Sequence, residues 1–456
     1  MVSRLLMAVI ISILLSAAAS AAEVAALPFA VFTENVVAYY PQLKAAHSHV
    51  EIALAQEMQA KAGFWPSLDL SAGYKVSEDP VDVFGMLLRQ ERFTSSDFDL
   101  KRLNTPGRHQ DLAVGAHLEM PLFDAMQTIG RTRSARASVK AAQAEEAFTG
   151  MEALLVAQDA YMNALTLEKL SSVINEVQKS AADDLQKAKD LKDKGMILGA
   201  DYFSARVMFG ELVRTRNEVA RQQKAMMALL NILMGEPVDR LWTLTDTIDD
   251  VKVPRNDPAM LIEQAFSRRP DLAALEARIK ASDAEVSRAR SMAWPALNAF
   301  GDVTNNRNKI DAPGGDNYTV GLKVDMPLFD PAYEGRVKAA KALKGQLGYD
   351  RQHLQDTIKR DIVQEAARYD TLSDNIGVLK GMRDDAREAV DLVVPLYSEG
   401  RKSIADLLEV RRVYVQTVQE YNKAMLGMWL SRARLLFLSG QLNRDEMKKL
   451  AEGAGL

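Results

Sequence analysis

Pro121-Leu122-Phe123-Asp124, followed by Gly130-Arg131, returns later in the chain as Pro327-Leu328-Phe329-Asp330, followed by Gly335-Arg336. Outward from these segments the correspondence continues. Gly195 returns as Gly400, Ala200-Asp201 as Ala405-Asp406, Arg206 as Arg411 and Gly235 as Gly440. The first offset is 206 (327 − 121), and every later one is 205 (400 − 195). One offset held over about a hundred residues marks an internal duplication. The chain therefore divides into a leader (1–22), a first copy (23–240) and a second copy with a C-terminal tail (241–456).

The leader reads as a secretory signal. Arg4 is its basic residue, Leu5 to Leu15 is apolar except at Ser12, and Ser20-Ala21-Ala22 predicts cleavage before Glu23. No later run approaches 18 apolar residues, so no transmembrane helix is expected. The chain has no cysteine, which excludes disulfides, a thiolate metal site and a cysteine-linked lipid anchor. A net charge of −4 with mixed signs leaves no basic footprint for nucleic acid.

Both copies open with a helical stretch, about 32–64 and 258–292. Each contains one proline at a helix start, Pro41 and Pro270, and each ends at Trp-Pro (Trp65-Pro66, Trp294-Pro295). Strands follow. Leu68, Leu70, Ala72, Tyr74 and Val76 alternate with Ser67, Asp69, Ser71, Gly73 and Lys75. Leu112 to Met120 and Tyr318 to Met326 alternate likewise, and the strand after Pro295 does so more weakly. A period of two puts one set on each face of a sheet. Strands of about ten residues match a tilted membrane crossing. Four strands cannot close a barrel, and open edges are not tolerated in lipid, so several chains would have to share one. Between its prolines the first hairpin spans 55 residues (121 − 66) and the second 32 (327 − 295), so the first carries 23 more (55 − 32), within Glu78–Gln110. That insertion is expected to be an external loop.

Long helices come next. Arg131 to Lys192 has no proline, about 60 residues or roughly 90 Å of helix, and Asp201 to Met234 returns. In the second copy Arg336 to Tyr397 goes out and Asp406 to Leu438 comes back, with Leu407, Tyr414, Tyr421 and Met428 seven apart as in a coiled coil. No enzyme, cofactor or metal site is expected. His47 and His49 lie two apart on a helix, His109 in a loop, His117 on the polar side of a strand and His353 on a charged helix.

The leader, the duplication, the paired Pro-Leu-Phe-Asp segments and the proline-led helices (Tyr40-Pro41-Gln42-Leu43, Arg269-Pro270-Asp271-Leu272) together resemble the TolC family of outer-membrane efflux and secretion channels. The resemblance spans nearly the whole mature chain. It implies a mostly α fold with a β-barrel portion, assembled as a homotrimer with a 12-stranded barrel in outer-membrane lipid of a Gram-negative bacterium. It also implies a helical tunnel across the periplasm. Such ducts are passive; a periplasmic adaptor and an inner-membrane transporter engage them and open them.

The resemblance also places a periplasmic gate on this chain. A tyrosine three before the turn glycine, a basic residue two after it and acids six and nine after it match Tyr397, Lys402, Asp406 and Glu409; Asp201 is the acid six after Gly195. Asp406 and Glu409 share a helix face, so threefold repetition would stack two acidic rings that favour cations. Tyr397 and Lys402 are expected to tie to Asp201. Lysine in place of the family's usual arginine lacks bidentate geometry. The turns Gly195-Met196 and Gly400-Arg401 are expected to contact the adaptor. Two alternatives remain. A passive uptake porin would need many strands in one chain, and a soluble periplasmic coiled-coil scaffold would need none.

Overall fold

The computed structural model describes residues 25–246 and 257–447. The leader, Pro254 in the linker between copies and the end of the C-terminal tail lie outside the described residues. The chain forms two compact units, and each draws on both copies.

The unit of residues 47–144 and 273–353 is built on a sheet. Its strands are β2 (Ser67–Ser77), β3 (His109–Phe123), β5 (Ala296–Arg307) and β6 (Gly315–Asp325), each at least as long as the tilted span expected of it. They pair antiparallel in the order β2-β3-β5-β6. The two hairpins therefore lie side by side, joined by the β3–β5 pairing. In register, Asp69 stands beside His117, His117 beside Asp302 and Asp302 beside Thr319. Side chains alternate across a strand. One sheet face thus carries Ser67, Asp69, Lys75, His117, Glu119, Asn298, Asp302 and Lys323. The other carries Leu68, Leu70, Val114, Leu118, Val303, Val320 and Leu322, and these stand exposed. β2 and β6 each have a neighbour on one side only.

The insertion in the first hairpin is not the plain loop expected. It contains α3 (Pro80–Arg89), a 3₁₀ turn (Ser95–Phe98) and α4 (Leu100–Asn104). Asp79 starts α3, its carboxylate accepting from the backbone N–H groups of Val81 and Asp82 at 3.0 Å, and Pro80 occupies the first helical position. Val83 and Met86 are buried, and Phe93 meets both Phe84 and Phe98 edge-on with centroids 5.0 Å apart. This segment joins the ends of β2 and β3 opposite those that lead into helices. Ser95→Cys, in a chain with no other cysteine, is expected to react with an impermeant thiol reagent on intact cells. Labelling seen only after the outer membrane is ruptured would contradict that topology.

The second unit comprises the described parts of residues 1–46, 145–272 and 354–456. The first-copy helices are α1 (Phe29–Tyr39), α2 (Pro41–Ala62), α5 (Gln127–Asp193) and α6 (Gly199–Met234). The second-copy helices are α7 (Pro258–Arg268), α8 (Pro270–Ser291), α9 (Tyr333–Ser398) and α10 (Ile404–Leu438). Of these helices, α2, α5, α8 and α9 are divided between the two units. α9 carries Pro395 inside it. A short parallel pair, β1 (Ala25–Leu27) with β4 (Trp242–Leu244), adds two strands beyond the four expected. The buried Tyr161 hydroxyl bridges it, bonding the Leu27 carbonyl at 2.7 Å and the Asp246 carboxylate.

The duplication landmarks have a backbone meaning. Gly195, Gly235, Gly400 and Gly440 all have φ between +72° and +74° and end helices. After each, the next residue's N–H reaches back over the last turn, as from Met196 to the Leu191 carbonyl (2.8 Å) and from Arg401 to the Leu396 carbonyl (2.9 Å). This closing bond needs a left-handed residue, which glycine supplies without a Cβ clash.

Candidate functional site: the helical hairpin ends

Between the hairpin ends an apolar core forms. Ile404, Leu407, Leu408, Val415 and Val418 of α10 pack with Ile174, Val177 and Ala181 of α5 and with Tyr202 and Ala205 of α6. Leu407 and Leu408 are fully buried. Of the heptad expected on α10, Leu407 and Tyr414 point into this core, while Tyr421 and Met428 belong to a second core with Tyr161 and Trp429.

Around the core the two turns line one groove, which includes Gly195, Met196, Asp201, Tyr397, Arg401 and Lys402. The structure therefore brings together most of the residues picked from the sequence. It does not join them as expected. The Tyr397 hydroxyl donates to the main-chain oxygen of Asp184 at 3.5 Å, not to Asp201. Burial, and then the nearby Asp184 carboxylate, raise the Tyr397 pKa above the ordinary tyrosine value, so it stays a donor. Among the described residues, neither Tyr397 nor Lys402 bonds to Asp201 within the chain.

The tie that is made uses two residues that sequence reasoning missed. Arg411 on α10 donates to the Asp184 carboxylate on α5 at 2.6 Å, with side chains 9% and 11% exposed. The Lys187 ammonium stands 3.8 Å from the other Asp184 oxygen. The Arg411 Nε is buried and has no partner among the described residues. This pair joins the two hairpins across a sequence gap of 227 residues.

Within the chain, both acids of α10 have partners on or next to their own helix. Asp406 is the third residue of α10, and its carboxylate accepts from the Ser403 backbone N–H and hydroxyl while Ser403 caps the Asp406 N–H. The Ser403 N–H, and then its hydroxyl, hold Asp406 below the usual aspartate range. Glu409 is clasped by Arg412 through two bonds of 2.6 and 2.9 Å, which lowers its pKa. Asp201 holds the position of Asp406 in the first copy (406 − 205), but its cap is Leu198, which offers no hydroxyl. There Lys192 lies over the Tyr202 ring instead, 4.8 Å from its centroid.

In the sheet unit, His117 lies 2.7 Å from Asp302 across the polar face. No cluster among the described residues could hold a metal ion, and none of their helices is long and apolar enough to cross a membrane.

The family model for outer membrane efflux proteins matches residues 34–233 and 261–441. The chain belongs to that family. It is 23% identical over 380 residues to the pyoverdine export outer membrane protein OpmQ of Pseudomonas aeruginosa, covering 81% of this chain and 76% of that one. It is 20% identical over 343 residues to the alkaline protease secretion protein AprF of the same species, covering 73% and 70%. Its fold is similar to the CmeC outer membrane channel of Campylobacter jejuni, with a TM-score of 0.77 at 15% identity, covering 92% of this chain and 89% of that one. As an outer membrane efflux protein it resides in the outer membrane and serves as an exit duct. Membership favours that reading over the porin and the soluble scaffold.

Proposed function

We propose that three copies share one 12-stranded barrel, and that the hairpin ends form a gated periplasmic entrance opened by an adaptor and an inner-membrane transporter. One observation supports this above others: a four-stranded sheet, apolar on one face and polar on the other, with both edges unpaired. In lipid such edges must pair, and a neighbouring copy offers β2 to β6. The apolar face then meets lipid and the polar face lines the lumen. The native protein in detergent should have three times the mature chain's mass. A monomer that conducts in bilayers would overturn the proposal.

The gate follows from the second unit. Arg411–Asp184 and Tyr397 hold the second hairpin to the first within each copy. Asp201, without a capping hydroxyl, and Lys402, without an ion pair among the described residues, are left to meet across copies. Asp406 and Glu409 stand at the same end. Met196, 70% exposed, and Arg401 project from the turns Gly195-Met196 and Gly400-Arg401 as adaptor contacts. The relatives' names pair a pyoverdine exporter with a protease secretion protein. Cargo choice is therefore assigned to the transporter, with the duct passing what it is handed.

A further inference from the structure

The insertion of the first hairpin folds onto one face of the sheet, and the register identifies which. Lys75 and Ser77 on β2 bind Asp82 of α3, at 2.6 and 3.1 Å. Asp111 on β3 accepts from Gln90, at the end of α3, at 2.9 Å. Asn306 on β5 binds the other Asp111 oxygen at 2.8 Å. Asn317 on β6 donates to the Arg89 carbonyl at 3.1 Å. The pairings place Lys75 opposite Asp111, Asn306 opposite Gly315, and Asn317 opposite Thr304. Counting by twos, Lys75, Ser77, Asp111, Asn306, Gly315 and Asn317 all belong to the polar face.

The segment also crosses the full sheet. α3 has ten residues, about 15 Å of helix. Three strand spacings, from β2 to β6, amount to roughly 14 Å. The far end is fitted closely: a methyl group added at Gly315 would overlap the Arg89 carbonyl oxygen. Gln90 and Asp111 are buried and mutually bonded, so this is a packed contact and not a loop resting on a surface. Val81 and Leu100 are 81% and 75% exposed, so the segment keeps apolar surface that the sheet does not cover.

We propose that residues 78–108 are a lid on the lumen side of the outer mouth, and that the three lids of a trimer pack together to narrow it. This rests on the barrel reading above. Twelve strands tilted by about 40° enclose roughly 24 Å between backbones. Helices about 10 Å thick, one from each copy, fill most of that width. Continuity with the shared edge carries the choice of partner: α3 ends on β6, the strand that receives the next copy, and the apolar sides of neighbouring lids cover one another. The constriction at the outer mouth belongs to this insertion, since the second hairpin has only a short turn.

The test places a cysteine below the lid, Thr319→Cys, on the exposed polar face of β6 in the full-length trimer. Intact cells are treated with two impermeant thiol reagents. One is small. The other is a maleimide on a polyethylene glycol chain wider than the narrowed mouth but narrower than an open barrel. With the lid intact, only the small reagent should react. Replacing residues 80–107 by a short glycine turn should bring labelling by the large reagent from nothing to the small reagent's extent. Gly315→Val, which dislodges the lid without altering it, should do the same where the deletion disturbs assembly. Large-reagent labelling with the native lid, or exclusion in all variants, would overturn the lid. Failure of the small reagent to reach the introduced thiol in any trimer would instead remove the lumen assignment, and the lid with it.

Discussion

Arg411→Leu together with Tyr397→Phe is expected to raise single-channel conductance in planar bilayers several-fold. These two side chains make the directional contacts from the second hairpin to Asp184 on the first. The stability cost should separate from the gating effect. Arg411→Leu alone leaves a buried carboxylate with only Lys187 nearby, which costs about 3–5 kcal/mol. Removing Asp184 as well, by Asp184→Leu, should recover most of that, since an apolar replacement of a buried pair is often close to neutral. Conductance should stay high in the recovered variant, because the tie is still absent. The competing effect is the apolar core. Fully burying Leu407 or Leu408 is worth about 1.5–3 kcal/mol each, so their contacts rival the ion pair. If the stable Asp184→Leu/Arg411→Leu chain conducts no better than the native one, that core holds the entrance shut. Lys402→Ser in the same background reports on the contact assigned to the neighbouring copy: a further rise is expected if Lys402 meets Asp201 there.

Strands and long helices are legible in the sequence because each follows from a local rule. Alternation such as Leu68 to Val76 is visible along one strand, and the glycine helix ends announce themselves by recurring at one offset. Pairing at a distance has no such signal. Nothing near Leu112 or Arg307 says that β3 lies against β5, and nothing near Asp184 names Arg411 as its partner. Arg411 is visible as the counterpart of Arg206, but a repeated residue need not have a repeated role. Arg206 lies near the Phe203 ring in its own hairpin, while Arg411 crosses to the other. β1 and β4 are three residues each, too short to show a period. The helix in the insertion does have a local signal in Asp79-Pro80, a cap followed by a first-turn proline, but the strands on either side of it favour a loop reading. Ser403-Ile404-Ala405-Asp406 likewise carries a capping pattern, which gives Asp406 a structural partner as well as a place at the entrance.

That double role shapes the expected block by trivalent cations added from the periplasmic side. Asp406→Asn should remove most of it, while Glu409→Gln should weaken it only slightly. Glu409 is held by two bonds to Arg412, so each copy's pair adds little net charge to a ring. Asp406 binds a neutral cap, and the Lys402 charge acts on it without forming an ion pair, so it keeps more of its charge than Glu409 does. Asparagine can still accept from Ser403, so the helix start survives and the lost block reports charge. Arg412→Ala should strengthen the block, because it uncovers Glu409. The pH dependence has a definite sign. Asp406 has its pKa depressed by Ser403, so its contribution is present above the unfolded aspartate value and is lost as pH falls through the lower folded value. The block should therefore be lost at a lower pH than an ordinary aspartate would give. A block that survives Asp406→Asn unchanged would mean that this carboxylate does not face the ion path. A block with the same pH midpoint in Ser403→Ala as in the native chain would mean that the Ser403 cap is open in the assembled channel.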